Sequence, residues 1–254
     1  MRCWSWCNAY CGGRNYNKRF NSFLLSLLVL LLCSCSTLPF SSPPPSTSKG
    51  TVTVQKAAPV HITYVAIGAS DSYGIGTADP TTQSWPADLT RELQTASSIR
   101  LIDLGIPDIT VHEALSAELP VALDAHPNLI TVWLAVNDLA DHVSVSDYAR
   151  DLNSLLGQLR AAYPAVPILI ANVPDLQYVP RFAAVDNQAL QMLVSGYNQA
   201  IAQAAQNHHV TLVDLYNQWK SLANHPEYIS ADGFHPSASG YAQIANIFYQ
   251  KLRS

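Results

Sequence analysis

The chain has 254 residues, 48% of them hydrophobic and only 13% charged, so one ordinary domain with a sizeable core fits within it. All 18 acidic residues and 10 of the 14 basic ones follow position 36, which leaves that part at a net charge of −8. An acidic body argues against nucleic acid or an anionic membrane surface as its main partner.

The first 35 residues read as a leader. Arg14, Lys18 and Arg19 precede "FLLSLLVLLLCSCS", an apolar run of about a dozen residues, too short for a transmembrane helix of ~20 and suited to a signal-peptide core. "LCSC" at 32–35 resembles a bacterial lipobox whose lipidated residue would be Cys35, although Cys33 inside it is unusual. Plain secretion or an uncleaved anchor is the competing reading. A lipid would tether the protein to a membrane without spanning it. All five cysteines (Cys3, Cys7, Cys11, Cys33 and Cys35) lie in this leader, so the body has neither a disulfide framework nor a thiolate metal site. Residues 36–58 are rich in Ser, Thr and Pro and read as a solvated linker. The folded domain is expected over 59–254.

Strand-like and helix-like patterns then alternate. A β-branched apolar run over 61–67 reads as a buried parallel strand, and 85–94 has helical spacing with Pro86 near its start. Further strands are expected over 99–105, 129–136, 166–173 and 210–215. Helices are expected over 110–119, 145–163, 187–208 and 237–252. Five strands alternating with helices predict an α/β fold, a mainly parallel five-stranded sheet covered on both faces. Ligands in such sheets bind beyond the carboxyl ends of the strands, so the residues after each strand carry the functional information.

Those residues are chemically distinctive. The first strand is followed by "GASDSYGIG", the second by Gly105, the third by Asn137 and Asp138, and the last loop holds "ADGFHPS". Each alone is ordinary: a turn serine, a turn glycine, a capping Asn, an Asx turn. Together they bring a hydroxyl, an imidazole, a carboxylate and hydrogen-bond donors to one sheet edge. Acyl transfer needs that set: a serine activated by a histidine, a carboxylate to orient the histidine, and donors for the oxyanion. Ser70, His235 and Asp232 can fill the first three roles; the N–H groups of Ser70 and Gly105 and the Asn137 amide can fill the last. Ser72 is a second candidate nucleophile. Ser70 is preferred because it follows the strand-ending Gly68 by two residues, as an elbow requires.

The four blocks "GASDSYG", "LGIPDIT", "AVNDL" and "DGFHPS" together resemble the SGNH or GDSL hydrolases across about residues 61–252. The resemblance implies a three-layer α/β/α sandwich of flavodoxin-like type and a serine esterase with no cofactor or metal. Its nucleophile would be Ser70, its base His235 with Asp232, and its oxyanion donors Ser70, Gly105 and Asn137. Expected substrates are carboxylic esters, such as acylated glycans or lipids. An acyltransferase using the same acyl-enzyme and a degenerate surface binding protein are the alternatives. Two positions depart from the family: Ala69 replaces the Asp before the nucleophile, and Ala135 replaces the Gly two before the block-three Asn. His112, His142, His208 and His209 show no metal-ligand spacing and read as solvated or helix-end residues.

Overall fold

The computed structural model describes residues 61–94, 98–218 and 224–254. The leader, Cys35 and the linker lie outside the described residues.

Strand β1 (His61–Gly68) is exposed at its start and buried over its last five residues. It is flanked by β2 (Ser98–Asp103) and β3 (Leu129–Trp133), with β4 (Ile168–Ala171) and β5 (Thr211–Val213) beyond, in the order β2-β1-β3-β4-β5. Every pairing is parallel. The first strand thus lies inside the sheet, and later strands add on both sides of it. The switch point falls between β1 and β3, where Gly68 pairs with Trp133. A crevice opens there beyond the strand ends.

Alternate side chains of one strand enter two cores, because successive residues point to opposite faces. Val65 and Ile67 pack with α4 (Val111–Ala117), α5 (Leu119–Asp124), α7 (Val145–Ala162) and α8 (Asn187–Asn207). Tyr64 and Ala66 join α3 (Trp85–Leu93) and α10 (Ala238–Leu252) in the other core. Fully burying each Leu, Ile or Phe of these layers contributes ~1.5–3 kcal/mol. The second layer is also aromatic: Trp85 stacks on Phe248 at 4.4 Å and meets Trp133 edge-on at 6.2 Å.

Helix starts follow their capping residues. Thr110 and Glu113 form a reciprocal capping box on α4, and Ser144, Asp186 and Ser237 cap α7, α8 and α10. Each such cap contributes ~1 kcal/mol.

Three segments differ from the sequence reading. The helix expected over 110–119 breaks at Glu118, and Pro120 opens α5 instead; proline suits a first turn, not a helix interior. The strand expected over 129–136 stops at Trp133, and Val136 begins the short helix α6 (Val136–Ala140). Tyr148, fully buried on α7, donates its hydroxyl to the Leu134 carbonyl at 2.8 Å, a group the sheet no longer pairs. Short helices also appear where only a loop was expected: α1 (Ser70–Tyr73) directly after β1, and α2 (Pro80–Gln83) after it; a third, α9 (Leu215–Gln218), follows β5.

Candidate active site

Ser70 is the first residue of α1, and it is buried just past the end of β1. Gly68 has no room for a side chain: a Cβ there would stand 2.0 Å from the Ser72 hydroxyl and 3.2 Å from the Trp133 carbonyl. The chain therefore turns sharply, and Ser70 and Ser72 take different directions. Ser72 faces down into the protein, fully buried, with its hydroxyl unpartnered. Ser70 faces the crevice.

On the other side of the crevice, residues 230–235 form a tight loop before α10. Gly233 turns it with φ 72, its N–H donating to the Ser230 carbonyl, while the Ser230 N–H donates to the His235 carbonyl. The loop brings His235 Nε2 to 3.0 Å from Ser70 Oγ and His235 Nδ1 to 2.6 Å from Asp232 Oδ2. Asp232 Oδ1 accepts three more hydrogen bonds, from the Ser230 hydroxyl and the N–H groups of Phe234 and His235. Partial burial opposes ionisation of Asp232. The bonds from His235, Phe234 and Ser230 outweigh it, holding this carboxyl well below the usual carboxylate range. It is an anion oriented to fix the Nδ1–H tautomer of His235.

The third side is built from the loops after β2 and β3. Asn137, in the first turn of α6, donates one amide hydrogen to the Ile109 carbonyl at 2.9 Å. An amide has two such hydrogens, so one stays available. Asp138 beside it is fully buried, takes the Val111 N–H on both oxygens at 3.2 Å, and is pushed up to about 6 by burial. These contacts lock the two loops together.

Gly105 differs from the sequence reading. Its N–H donates to Asp103 Oδ1 at 3.0 Å, and its Cα lies flush against α1, where a Cβ would meet Tyr73 N at 2.5 Å. It is a packing glycine whose donor is already used. Three residues on, Asp108 adopts a left-handed φ of 63 in the exposed turn just before Ile109. Among the described residues, the N–H groups of Ser70 and Asp108 have no acceptor. Sequence reasoning missed Asp108. Its one signal is that Asp tolerates left-handed backbone better than most residues.

A second missed residue is Glu118, at the break between α4 and α5. Its carboxyl is 1% exposed, accepts the Gly68 N–H at 3.2 Å, and leaves Oε2 unpartnered. Burial, with the Asp103 charge adding to it, pushes it up to about 8, so it carries a proton at neutral pH. Ala69, where the resemblance would place an acid, packs its methyl into the core instead. The buried acid at this elbow arrives from 50 residues away.

Two other histidines are tied to neighbouring side chains: His112 bonds Asp151 at 3.0 Å and His208 bonds Asn153 at 3.1 Å.

A family model described as GDSL-like lipase/acylhydrolase matches residues 66–243. Solved structures with the same fold include a Clostridium thermocellum family 3 carbohydrate esterase, 22% identical, with a TM-score of 0.60 over 75% of this chain and 94% of that one. Another is the psychrotrophic esterase EstA from Pseudoalteromonas sp., 18% identical, with a TM-score of 0.60 over 75% and 96%. A third is an acetyl-xylooligosaccharide esterase from Geobacillus, 15% identical, also at 0.60 over 75% and 94%. At these identities the likeness concerns the fold. No curated protein sequence matches the chain.

Proposed function

The chain belongs to the GDSL-like lipase/acylhydrolase family and is an ester-hydrolysing enzyme, and on that premise we propose that it works through an acyl-Ser70 intermediate. The observation that carries this is the unbroken hydrogen-bonded chain Ser70–His235–Asp232 across the crevice. His235 Nε2 takes the Ser70 proton as Oγ attacks the ester carbonyl. Asp232, already anionic, stabilises the imidazolium that forms. The oxyanion is received by the Ser70 N–H, the free Asn137 amide hydrogen and, in place of Gly105, the Asp108 N–H. His235 then protonates the leaving alcohol. In the second half-reaction it draws a proton from water, which attacks the acyl carbonyl and frees Ser70.

The substrate class we propose is a carboxylic ester with a small acyl group, O-acetylated glycans among them. The carbohydrate-esterase neighbours support this by fold alone. Export and lipid anchoring at Cys35 is a further proposal that rests on the leader sequence; labelled fatty acid should be incorporated by the wild type and lost in Cys35→Ser.

A fluorophosphonate probe tests the nucleophile. It should label wild type and Ser72→Ala but leave Ser70→Ala unlabelled. An adduct mapped to Ser72 would overturn the assignment.

A further inference from the structure

The active-site crevice holds a carboxylate that the mechanism above does not use. Asp71 follows the nucleophile directly, and it lines a narrow cavity with Trp133, Val136, Leu215, Phe234 and Pro236. The cavity lies beside the reacting centre: Asp71, Val136, Phe234 and Pro236 in its lining are chain neighbours of Ser70, Asn137 and His235, and Asp71 is near enough to His235 and Asp232 for their charges to act on it. It offers about 40 Å³ at the scale of a water molecule, enough for one compact group rather than a long chain.

Apart from Asp71 its walls are apolar. Among the described residues no donor reaches the Asp71 carboxylate, and no Lys or Arg pairs with it. Arg181 lies over the Phe234 ring at 5.1 Å and makes no ion pair there. The other ionisable groups acting on Asp71 are His235 and Asp232, both in the last loop, and the neutral phenol of Tyr241 on α10 lies within reach of its charge; the residues that line the cavity from the ends of β3, β4 and β5 and from α10 are apolar. Burial pushes Asp71 up to about 6, partly countered by His235 and reinforced by the Asp232 charge. At neutral pH the group is therefore mainly ionised, in surroundings that solvate an anion poorly. An unpaired carboxylate in an apolar site is costly until a cation meets it. Aromatic walls such as Trp133 and Phe234 favour a cation over an anion in the same space.

We propose that this cavity is a specificity subsite in which Asp71 binds a compact ammonium group carried by the ester substrate. The proposal rests on the ester-hydrolase reading above and narrows it to cationic esters. A neutral substrate leaves Asp71 without a partner; a cationic one satisfies it and is held beside Ser70.

Two pairs of esters matched in shape and differing in charge test it. One pair is 2-(dimethylamino)ethyl acetate and 3-methylbutyl acetate. The other is ethyl 3-(dimethylamino)propanoate and ethyl 4-methylpentanoate, which moves the charge to the acyl side. With kcat/KM at pH 7 divided by each ester's hydroxide-catalysed rate, the cationic member of at least one pair should lead by about tenfold or more, as a desolvated charge contact implies. Asp71→Asn should bring that ratio close to one. A ratio near one in wild type for both pairs would overturn the subsite while leaving the esterase intact. So would a ratio that survives in Asp71→Asn, because a residue acting only through His235 slows both members alike. Failure of wild type to turn over any of the four, with no fluorophosphonate label on Ser70, sinks the esterase reading itself. A measurement on wild type covers a variant that fails to fold. Protonated dimethylaminoethanol should inhibit hydrolysis of the neutral acetate more strongly than 3-methylbutanol, and lose that advantage as pH falls through about 6. Equal inhibition by the two alcohols at pH 7 would also overturn the subsite.

Discussion

Gly76 lies directly under His235: a Cβ on Gly76 would come within 3.0 Å of His235 Cβ and 2.5 Å of the Pro236 carbonyl, and its φ is 98. The turn after α1 is thus the seat of the histidine loop, and the Tyr241 hydroxyl ties that turn to α10, which follows the loop, by donating to the Ile75 carbonyl at 2.7 Å. Gly76→Ala should strain the backbone and lift His235 from Ser70. A 1 Å misplacement of a catalytic group costs on the order of 10²-fold, so kcat should fall by about that factor. The loss belongs to kcat, and an unaltered kcat would refute it.

Asp232→Asn keeps an oxygen for the Ser230, Phe234 and His235 donors but lacks the charge that holds the His235 tautomer. Loss of kcat by ~10³–10⁴ is expected with the loop in place. Steady-state kinetics beside a circular dichroism spectrum check this; a tenfold effect or less would remove Asp232 from the role given to it.

Asn137→Ala deletes the proposed oxyanion donor and also frees the Ile109 carbonyl. The first loss should reduce kcat by ~10²–10³ with little change in KM. Asn137→Asp keeps the side-chain volume and should be at least as damaging, because a carboxylate repels the oxyanion. Normal turnover in both variants would exclude the amide as a donor.

Glu118 makes a stability prediction with a definite sign. Its carboxyl titrates near 4.5 when unfolded and is pushed up to about 8 by burial in the fold. Below pH 4.5 both states are protonated and it costs nothing. Between about 4.5 and 8 the unfolded chain releases the proton while the folded one keeps it, so stability declines as pH rises. Above 8 the decline is complete. Glu118→Gln retains an acceptor for the Gly68 N–H and removes the titration. Its urea midpoint should gain on wild type steadily from pH 4 to pH 8. A constant difference across that range would show that Glu118 does not carry the proton.

The parallel sheet was legible because buried strands such as 61–67 are continuous β-branched apolar runs with nothing else to become. The convergence of Ser70, Asp232 and His235 was legible because strand ends in such a sheet face one crevice, and each of the three lies within two residues of a glycine. Asp71, Asp108 and Glu118 were not. Their significance depends on what the folded chain sets against them: an apolar cavity, a left-handed turn near Asn137, a backbone N–H distant in sequence. Gly105 shows the reverse failure. Its position after a strand suggested a donor, and only the packing against α1 and the Asp103 carboxylate reveal why a glycine is needed there.

The contact between Ser70 and His235 spans 165 positions of chain. During synthesis the proposed nucleophile emerges early, just past an inner strand whose neighbours do not yet exist. The proposed base arrives only 165 residues later. A nascent chain, or one terminated before His235, therefore carries an unarmed serine, and ester cleavage begins only when the 230–235 loop docks. Turnover in a culture would accordingly count finished molecules, and stalled ones would be silent in the assay however much of the sheet they had built.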